Sequence, residues 1–273
     1  MYKSCVLDET SDYAVVYKPP RMHGAPLRNG ESGTLLNWYA LLFPPVLTIL
    51  GRRPQEGGLL HRLDYATHGL VLFAKTQSAM DILQTQQEGG LFVKEYGALS
   101  MGNTAGLKLS GFPPIDTVNP ADNAIESAFR AYGQGRKAVR PVIFPGNREK
   151  PGKKKNIALD RGYPYKTEIP ERIALEGGLY FSLRIVRGFR HQIRCHLSWI
   201  GCPIVNDRLY GGVSMEWPAG VPAGEESPPG DPALGGGDLA LRAQGLFFYD
   251  PASREPRSYT IPSIKDTPLL SFA

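Results

Sequence analysis

The sequence predicts an α+β fold, on three observations. Short runs with strand periodicity are spread along the whole chain, at least two stretches carry the helical period, and 31 glycines and 24 prolines among 273 residues mark many turns. Those two residue types make up about a fifth of the chain, against ~12% in average usage, and fall in no fixed repeat. With 42% hydrophobic residues there is ample material for one packed core, and no break in composition forces two domains.

In chain order, Asp12 to Lys18 (DYAVVYK) and Gly69 to Lys75 (GLVLFAK) are short runs dense in Val, Leu and aromatics, as in half or fully buried strands. Gln77 to Glu88 places Met80, Ile82 and Leu83 between polar residues and stops at Gly89-Gly90, the pattern of a helix with a glycine terminus. Leu91 to Leu99 returns to strand. Leu179, Phe181, Leu183 and Ile185 then alternate with Tyr180, Ser182, Arg184 and Val186, the period of a sheet with one buried face, until the turn at Arg187-Gly188. From His191 to Ile200, Ile193, Leu197 and Ile200 fall at i, i+4 and i+7, predicting a short helix with one apolar stripe that ends at Gly201. Arg194 sits about 100° around from Ile193, off that stripe, where it can reach a partner. Two more strands are expected at Leu239 to Tyr249 and Arg257 to Ile261.

Several function classes are excluded at this stage. The longest apolar stretch, Tyr39 to Leu50, is broken by Pro44 and Pro45 and falls short of the ~20 residues of a membrane helix. The acidic N-terminal segment lacks the basic flank of an export signal. Cys5, Cys195 and Cys202 form no C-x-x-C pair, so neither a disulfide framework nor a four-cysteine zinc site is available, and a cytoplasmic protein is expected. His191 and His196, five apart, lie on different faces of a helix and would not share a metal; Cys195 reads as a buried structural thiol. Phosphate-binding, dinucleotide-binding, zinc-protease and serine-hydrolase motifs are absent.

Net charge is +5, but its distribution is uneven. Between Arg136 and Lys155, eight basic residues (Arg136, Lys137, Arg140, Arg148, Lys150, Lys153, Lys154 and Lys155) face Glu149 alone, as in a solvated basic loop or a phosphate-contacting one. Val213 to Asp238 is the opposite: five acidic residues, no Lys or Arg, and eleven Gly or Pro, which predicts an exposed acidic loop insertion over 213–238. Two constellations could carry chemistry. One is His61-Arg62-Leu63-Asp64-Tyr65-Ala66-Thr67-His68-Gly69, a charged loop feeding a strand, where Asp64 could accept protons, form an adduct or cap a turn. The other is Arg184, Arg187, Arg190, His191, Gln192 and Arg194, a cluster suited to phosphate or carboxylate recognition or to a solvated surface.

These residues carry a resemblance. His61-Arg62-Leu63-Asp64-x-x-Thr67-x-Gly69-Leu70-x-Leu72-x-Ala74-Lys75 resembles the H-R-L-D-x-x-T-S-G-L-L-x-x-A-K signature of the RluA-type pseudouridine synthases. Other blocks follow in that family's order: Tyr13 to Pro20 with its Lys18-Pro19 turn, Lys94-Glu95-Tyr96-Gly97-Ala98, His191-Gln192-Ile193-Arg194-x-His196-Leu197, Gly201-x-Pro203-Ile204-Val205-x-Asp207-x-x-Tyr210-Gly211, and Leu239-Ala240-Leu241-x-Ala243. The resemblance implies one catalytic domain over residues 1–273, built on a long mixed, mainly antiparallel sheet flanked by helices and loops, without a separate N-terminal RNA-binding domain. It implies an isomerase that converts uridines of tRNA or rRNA to pseudouridine by base flipping, without cofactor or metal, and a monomer whose partner is RNA.

The site residues come with the resemblance. Asp64 would be the essential carboxylate, acting at the sugar as nucleophile or base, and Arg194 would pair with it. Tyr96 would stack on the uracil and help in the late proton removal from C5, and Arg62 would take the place of the extruded base. Arg136, Lys137, Arg140, Lys153, Lys154, Lys155 and Arg190 are the candidates for RNA backbone contacts. Ile193 and Leu241 are core residues first, with the uracil pocket as their alternative. Three positions depart from the family pattern: His68 stands for Ser, Phe189 for the first Arg of G-R-T-H-Q-I-R, and Arg242 for His in L-A-L-H-A. His68 would fill a turn or add a pH-sensitive group. Two rivals are a non-catalytic RNA-binding protein on the same fold and a carboxylate-based hydrolase. The hydrolase needs a second acid within ~5 to 10 Å of the first, and none stands out.

Overall fold

Alternating side chains on the central strands are buried on both faces, because helices cover both sides of the sheet they form. A computed structural model describes residues 3–28, 30–102, 111–114, 123–143, 157–158, 164–215 and 237–266. Its strands are β1 (Cys5–Glu9), β2 (Tyr13–Lys18), β3 (His68–Ala74), β4 (Val93–Ser100), β5 (Ala124–Tyr132), β6 (Ala138–Val142), β7 (Ile157–Ala158), β8 (Tyr165–Leu175), β9 (Gly178–Ile185), β10 (Leu241–Tyr249) and β11 (Pro256–Thr260). They join in one sheet in the order β1-β2-β3-β10-β4-β9-β8-β5-β6, with β11 on β10 and β7 on β5. Among these strands only β3 and β10 pair in parallel, so the sheet is mixed and mainly antiparallel, as expected, and the fold is α+β.

Every residue of β2 and β3 is buried. One face carries Ala14, Val16, Val71 and Phe73 against Leu35 and Tyr39 of α1 (Leu35–Leu42) and Ile193 and Leu197 of α3 (Gln192–Trp199). The other carries Tyr13, Val15, Leu70 and Leu72 against Met80 and Leu83 of α2 (Gln77–Gly89). Two faces buried by helices explain why these strands read as continuous apolar runs rather than strict alternations. α2 starts at Thr76, whose hydroxyl accepts the Ala79 N–H, and stops at Gly90 in the left-handed conformation, φ 82°. Gly69 is required at the parallel crossing: its φ is +123°, and a β-carbon there would run into the backbone of Ala243.

Three elements differ from expectation. α1 was hidden inside an apolar run without helical contrast; a capping box between Thr34 and Asn37 starts it, and Pro44 begins the 3-10 turn that follows. β8 contains Pro170 and four charged residues, and tolerates the proline because its register with β9 shifts between Glu168 and Glu171. α3 has no polar face: all eight residues are buried, since the helix is wedged between the sheet and the segment around Asp207. Most of 213–238 lies outside the described residues. Its described ends are tied together by Asn206, which donates to the Asp238 carbonyl at 2.9 Å and accepts the Met215 N–H at 2.7 Å. Among the described residues no helix is long and apolar enough to cross a membrane.

Candidate active site

Asp64 sits in the turn that enters β3, where its backbone carbonyl accepts the Thr67 N–H at 3.1 Å. Its side chain is 24% exposed, open to solvent on one side and held from below. Arg194, first-turn residue of α3, donates from Nη1 to Asp64 Oδ2 at 3.2 Å. No local pattern marks the other partner: Arg194 Nε donates to Asp207 Oδ2 at 2.7 Å and Nη2 to Oδ1 at 2.9 Å. Arg194 is thus buried and points to two carboxylates, not to a surface. The Asp207 fork is shorter and two-pronged, so Asp207 fixes the guanidinium and the guanidinium places Asp64. The Arg194 guanidinium also lies 5.3 Å from the Tyr210 ring centre.

Two more groups face Asp64. Lys18, at the end of β2 opposite Gly69, is fully buried, and its Nζ donates to the carbonyls of Pro19 (2.9 Å) and Tyr65 (3.3 Å). Burial lowers its pKa to about 7, against the opposing pull of Asp64. His191 Nε2 lies 3.9 Å from Asp64 Oδ2. Burial pushes the Asp64 carboxyl up, but the charges of His191, Arg194 and Lys18 and the Arg194 hydrogen bond together hold it below its ordinary value. Burial in turn holds the His191 imidazole below its ordinary value, so at neutral pH Arg194 is the full cation that keeps Asp64 ionised, joined by the protonated fraction of Lys18.

Tyr96, on β4 between Ala243 of β10 and Leu183 of β9, is nearly buried in the same apolar cluster as Leu63, Ile193 and Leu241. Burial first, and the Asp64 charge second, raise its phenol well above the ordinary value. Tyr96 is therefore a neutral aromatic wall beside a carboxylate, with Ile193 and Leu241 as core neighbours. Arg62 is exposed beside Asp64 and pairs with Glu56 at 3.3 Å.

The basic candidates are less free than their charge suggests. Arg136 and Lys137 are exposed at the turn between β5 and β6. Arg190 is exposed too, but its Nη2 donates to the carbonyls of Arg136 (2.7 Å) and Ala138 (3.3 Å), bracing that turn. Arg140 donates to Gly111 O at 3.0 Å and lies over the Tyr132 ring. Arg184 pairs with Glu95, and Arg187 donates to Glu88 O. Lys153, Lys154 and Lys155 lie outside the described residues.

The departures resolve as packing. Phe189 stacks on Phe129, with centroids 5.0 Å apart. His68 is buried and accepts from Arg242 Nε at 3.0 Å; burial and the Arg242 charge push its pKa to about 3, so it is no pH sensor near neutrality. His196 is likewise structural, hydrogen-bonded to Thr167 and Ser127 inside the core. Cys195 is buried, as expected, and no cluster of metal-ligating side chains occurs among the described residues. Asp207 corrects the expectation that no second carboxylate is near. Both its oxygens are taken by Arg194 and its side chain has no exposed surface, so it cannot serve as a hydrolase's partner acid. Lys18, His191, Asp207 and Tyr210 lie in recognised sequence blocks, yet only their meeting around Asp64 and Arg194 gives them a role.

Comparison with known proteins gives the chain's relatives. Residues 12–199 match the family model described as RNA pseudouridylate synthase. The chain is 28% identical over 208 residues to ribosomal large subunit pseudouridine synthase D of Yersinia pestis, covering 76% of this chain and 52% of that one. It is 30% identical to the protein of that name from Xanthomonas campestris pv. campestris, covering 98% of this chain and 68% of the relative. The chain thus spans about half the length of the first and two thirds of the second. In structure it is similar to human RNA pseudouridylate synthase domain containing 1, with a TM-score of 0.57 at 18% identity over 96% of this chain and 84% of that one, a likeness of fold.

Proposed function

Because the chain belongs to the RNA pseudouridylate synthase family, we propose that it isomerises uridine in RNA to pseudouridine, with Asp64 as the essential carboxylate. The observation that carries this is the Arg194–Asp64 contact: a carboxylate open to the surface on one side and kept ionised from beneath by a buried guanidinium. The reaction breaks the N1–C1′ bond, forms C5–C1′, releases the C5 hydrogen as a proton and returns one to N1. Substrate and product are isomers, so the reaction consumes no co-substrate and needs no net oxidant or reductant. Whether Asp64 attacks the sugar or removes a proton from it, the carboxylate must be ionised, and it is held below its ordinary pKa.

A paired uridine cannot present C1′ to Asp64, so the base is flipped out. Tyr96 offers an aromatic face for it next to Asp64. Arg62, exposed and two residues away, is placed to fill the vacated stack once Glu56 releases it. Arg136 and Lys137, on a turn braced by Arg190, supply phosphate contacts. The relatives' names refer to the large ribosomal subunit, which favours rRNA over tRNA. We take the chain to act as one catalytic domain on its continuous sheet, as a cytoplasmic monomer. The test is release of tritium from unmodified rRNA and tRNA transcripts labelled at uridine C5. Release by the wild type and not by Asp64→Asn supports the isomerase; RNA binding without release leaves a binding protein on this fold, and free uracil a hydrolase.

A further inference from the structure

We infer that His191, oriented by Tyr210, is a positioning residue for the Asp64 carboxylate, an assignment that rests on the isomerase reading above. Its Nε2 lies 3.9 Å from Oδ2 of Asp64, the same oxygen that accepts from Arg194. Its Nδ1 lies 3.1 Å from the Tyr210 hydroxyl. That hydroxyl already accepts the Val139 backbone N–H at 2.8 Å, which leaves its own proton for Nδ1. The ring proton then resides on Nε2, the nitrogen that faces the carboxylate. Tyr210 is itself pinned, its backbone carbonyl taking the Ser198 hydroxyl and its ring lying against Arg194.

The backbone supports the same assignment. His191 occupies the position before α3, with φ 57° in the left-handed region, yet its side chain makes no capping bond to its own helix. Asparagine is the residue that suits both the left-handed conformation and a helix N-cap. A histidine placed there without capping forgoes local stabilisation, and the side chain is spent on Asp64 and Tyr210 instead. The groups that face the imidazole are Asp64 from the turn into β3, Arg190 from the preceding turn, Arg194 from α3, and Asp207 and Tyr210 from the segment after it. Burial, with the two arginines, outweighs the two aspartates and holds the imidazole below its ordinary value, so at pH 7 His191 turns a neutral N–H dipole toward Asp64 across 3.9 Å, longer than a direct hydrogen bond.

Two replacements separate this role from that of starting a helix. Asparagine satisfies the backbone but is too short to reach Asp64, whereas glutamine places an amide N–H near the Nε2 position. Turnover, normalised to RNA-binding protein, and KM are measured by tritium release across the pH range in which Asp64 ionises, with RNA affinity and thermal unfolding as controls. The expected result is that His191→Asn binds RNA within about twofold of wild type, loses on the order of 100-fold in kcat at unchanged KM, and shows an acid limb moved to higher pH. His191→Gln recovers about tenfold of that loss and part of the limb shift. Asparagine equal to or better than glutamine, or an unmoved acid limb, overturns the assignment. Absence of release by the wild type sinks the isomerase reading, and this inference with it.

Discussion

Arg194→Lys keeps the charge and removes the fork, so it asks what the guanidinium geometry contributes. The side chain is nearly inaccessible and donates three charge-assisted hydrogen bonds, two to Asp207 and one to Asp64. An ammonium is a compact point charge that can approach one of these carboxylates closely but cannot replace a two-pronged contact and a third bond together. Hydrogen bonds to charged groups are worth ~1.5–3 kcal/mol each, so losing two of the three costs about 3 to 6 kcal/mol, and the range for breaking a buried ion pair narrows this to about 3 to 5 kcal/mol. At ~2–4 °C per kcal/mol for a chain of this size, the unfolding midpoint falls by roughly 6 to 20 °C. Arg194 is also one of the groups that hold the Asp64 carboxyl low, so the acid limb of the pH–rate profile moves to higher pH. Thermal unfolding and tritium release against pH measure both. A variant within about 3 °C of wild type with an unmoved acid limb would refute the argument that the fork organises the site.

Three other outcomes are expected. His61, His68 and His196 are each pushed to about 3 by burial; as pH falls below about 6.5 the unfolded imidazoles take up protons that the folded ones refuse, so stability drops with a limiting slope of about 4 kcal/mol per pH unit. Urea unfolding between pH 7 and 5 checks this, and a flat stability would contradict it. Lys18, fully buried with a pKa near 7, binds fewer protons folded than unfolded above that value, so its contribution to stability rises with pH from about 7 to 10.5; Lys18→Met abolishes that rise and shifts the Asp64 acid limb upward, both read from unfolding and rate profiles over pH. His68→Ser removes the acceptor of the buried Arg242 Nε and costs about 1–3 kcal/mol, which the double variant with Arg242→His restores at least in part; additive losses in a double-mutant cycle would show the two residues to be uncoupled.

Local chemistry made much of the molecule legible. β2, β3, β4, β9 and β10 were marked by apolar runs bounded by turn residues, and α2 by its period and its glycine stop, because each pattern is set by which side chains must leave water within a few residues of one another. The ordered sequence blocks singled out Asp64, Tyr96, Arg62 and Arg194, and the structure brings Asp64, Arg194 and Tyr96 to one place, while Arg62 is exposed two residues along the chain and paired with Glu56. Long-range pairing decided the rest. α1 and β8 carry no period that solvent exposure imposes; beyond the Thr34–Asn37 capping box, α1 takes shape from what packs on it, and β8 from a bulge that admits Pro170. No local pattern announces that Asp207 takes two of the three Arg194 bonds, or that Tyr210 meets His191. His68 and Arg242, two separate departures in the sequence, are one hydrogen-bonded pair because β3 and β10 run parallel side by side across 174 positions of chain. A linear pattern records which residues prefer burial and what chemistry they carry; which buried charge compensates which is settled only when the sheet closes and excludes water from between them.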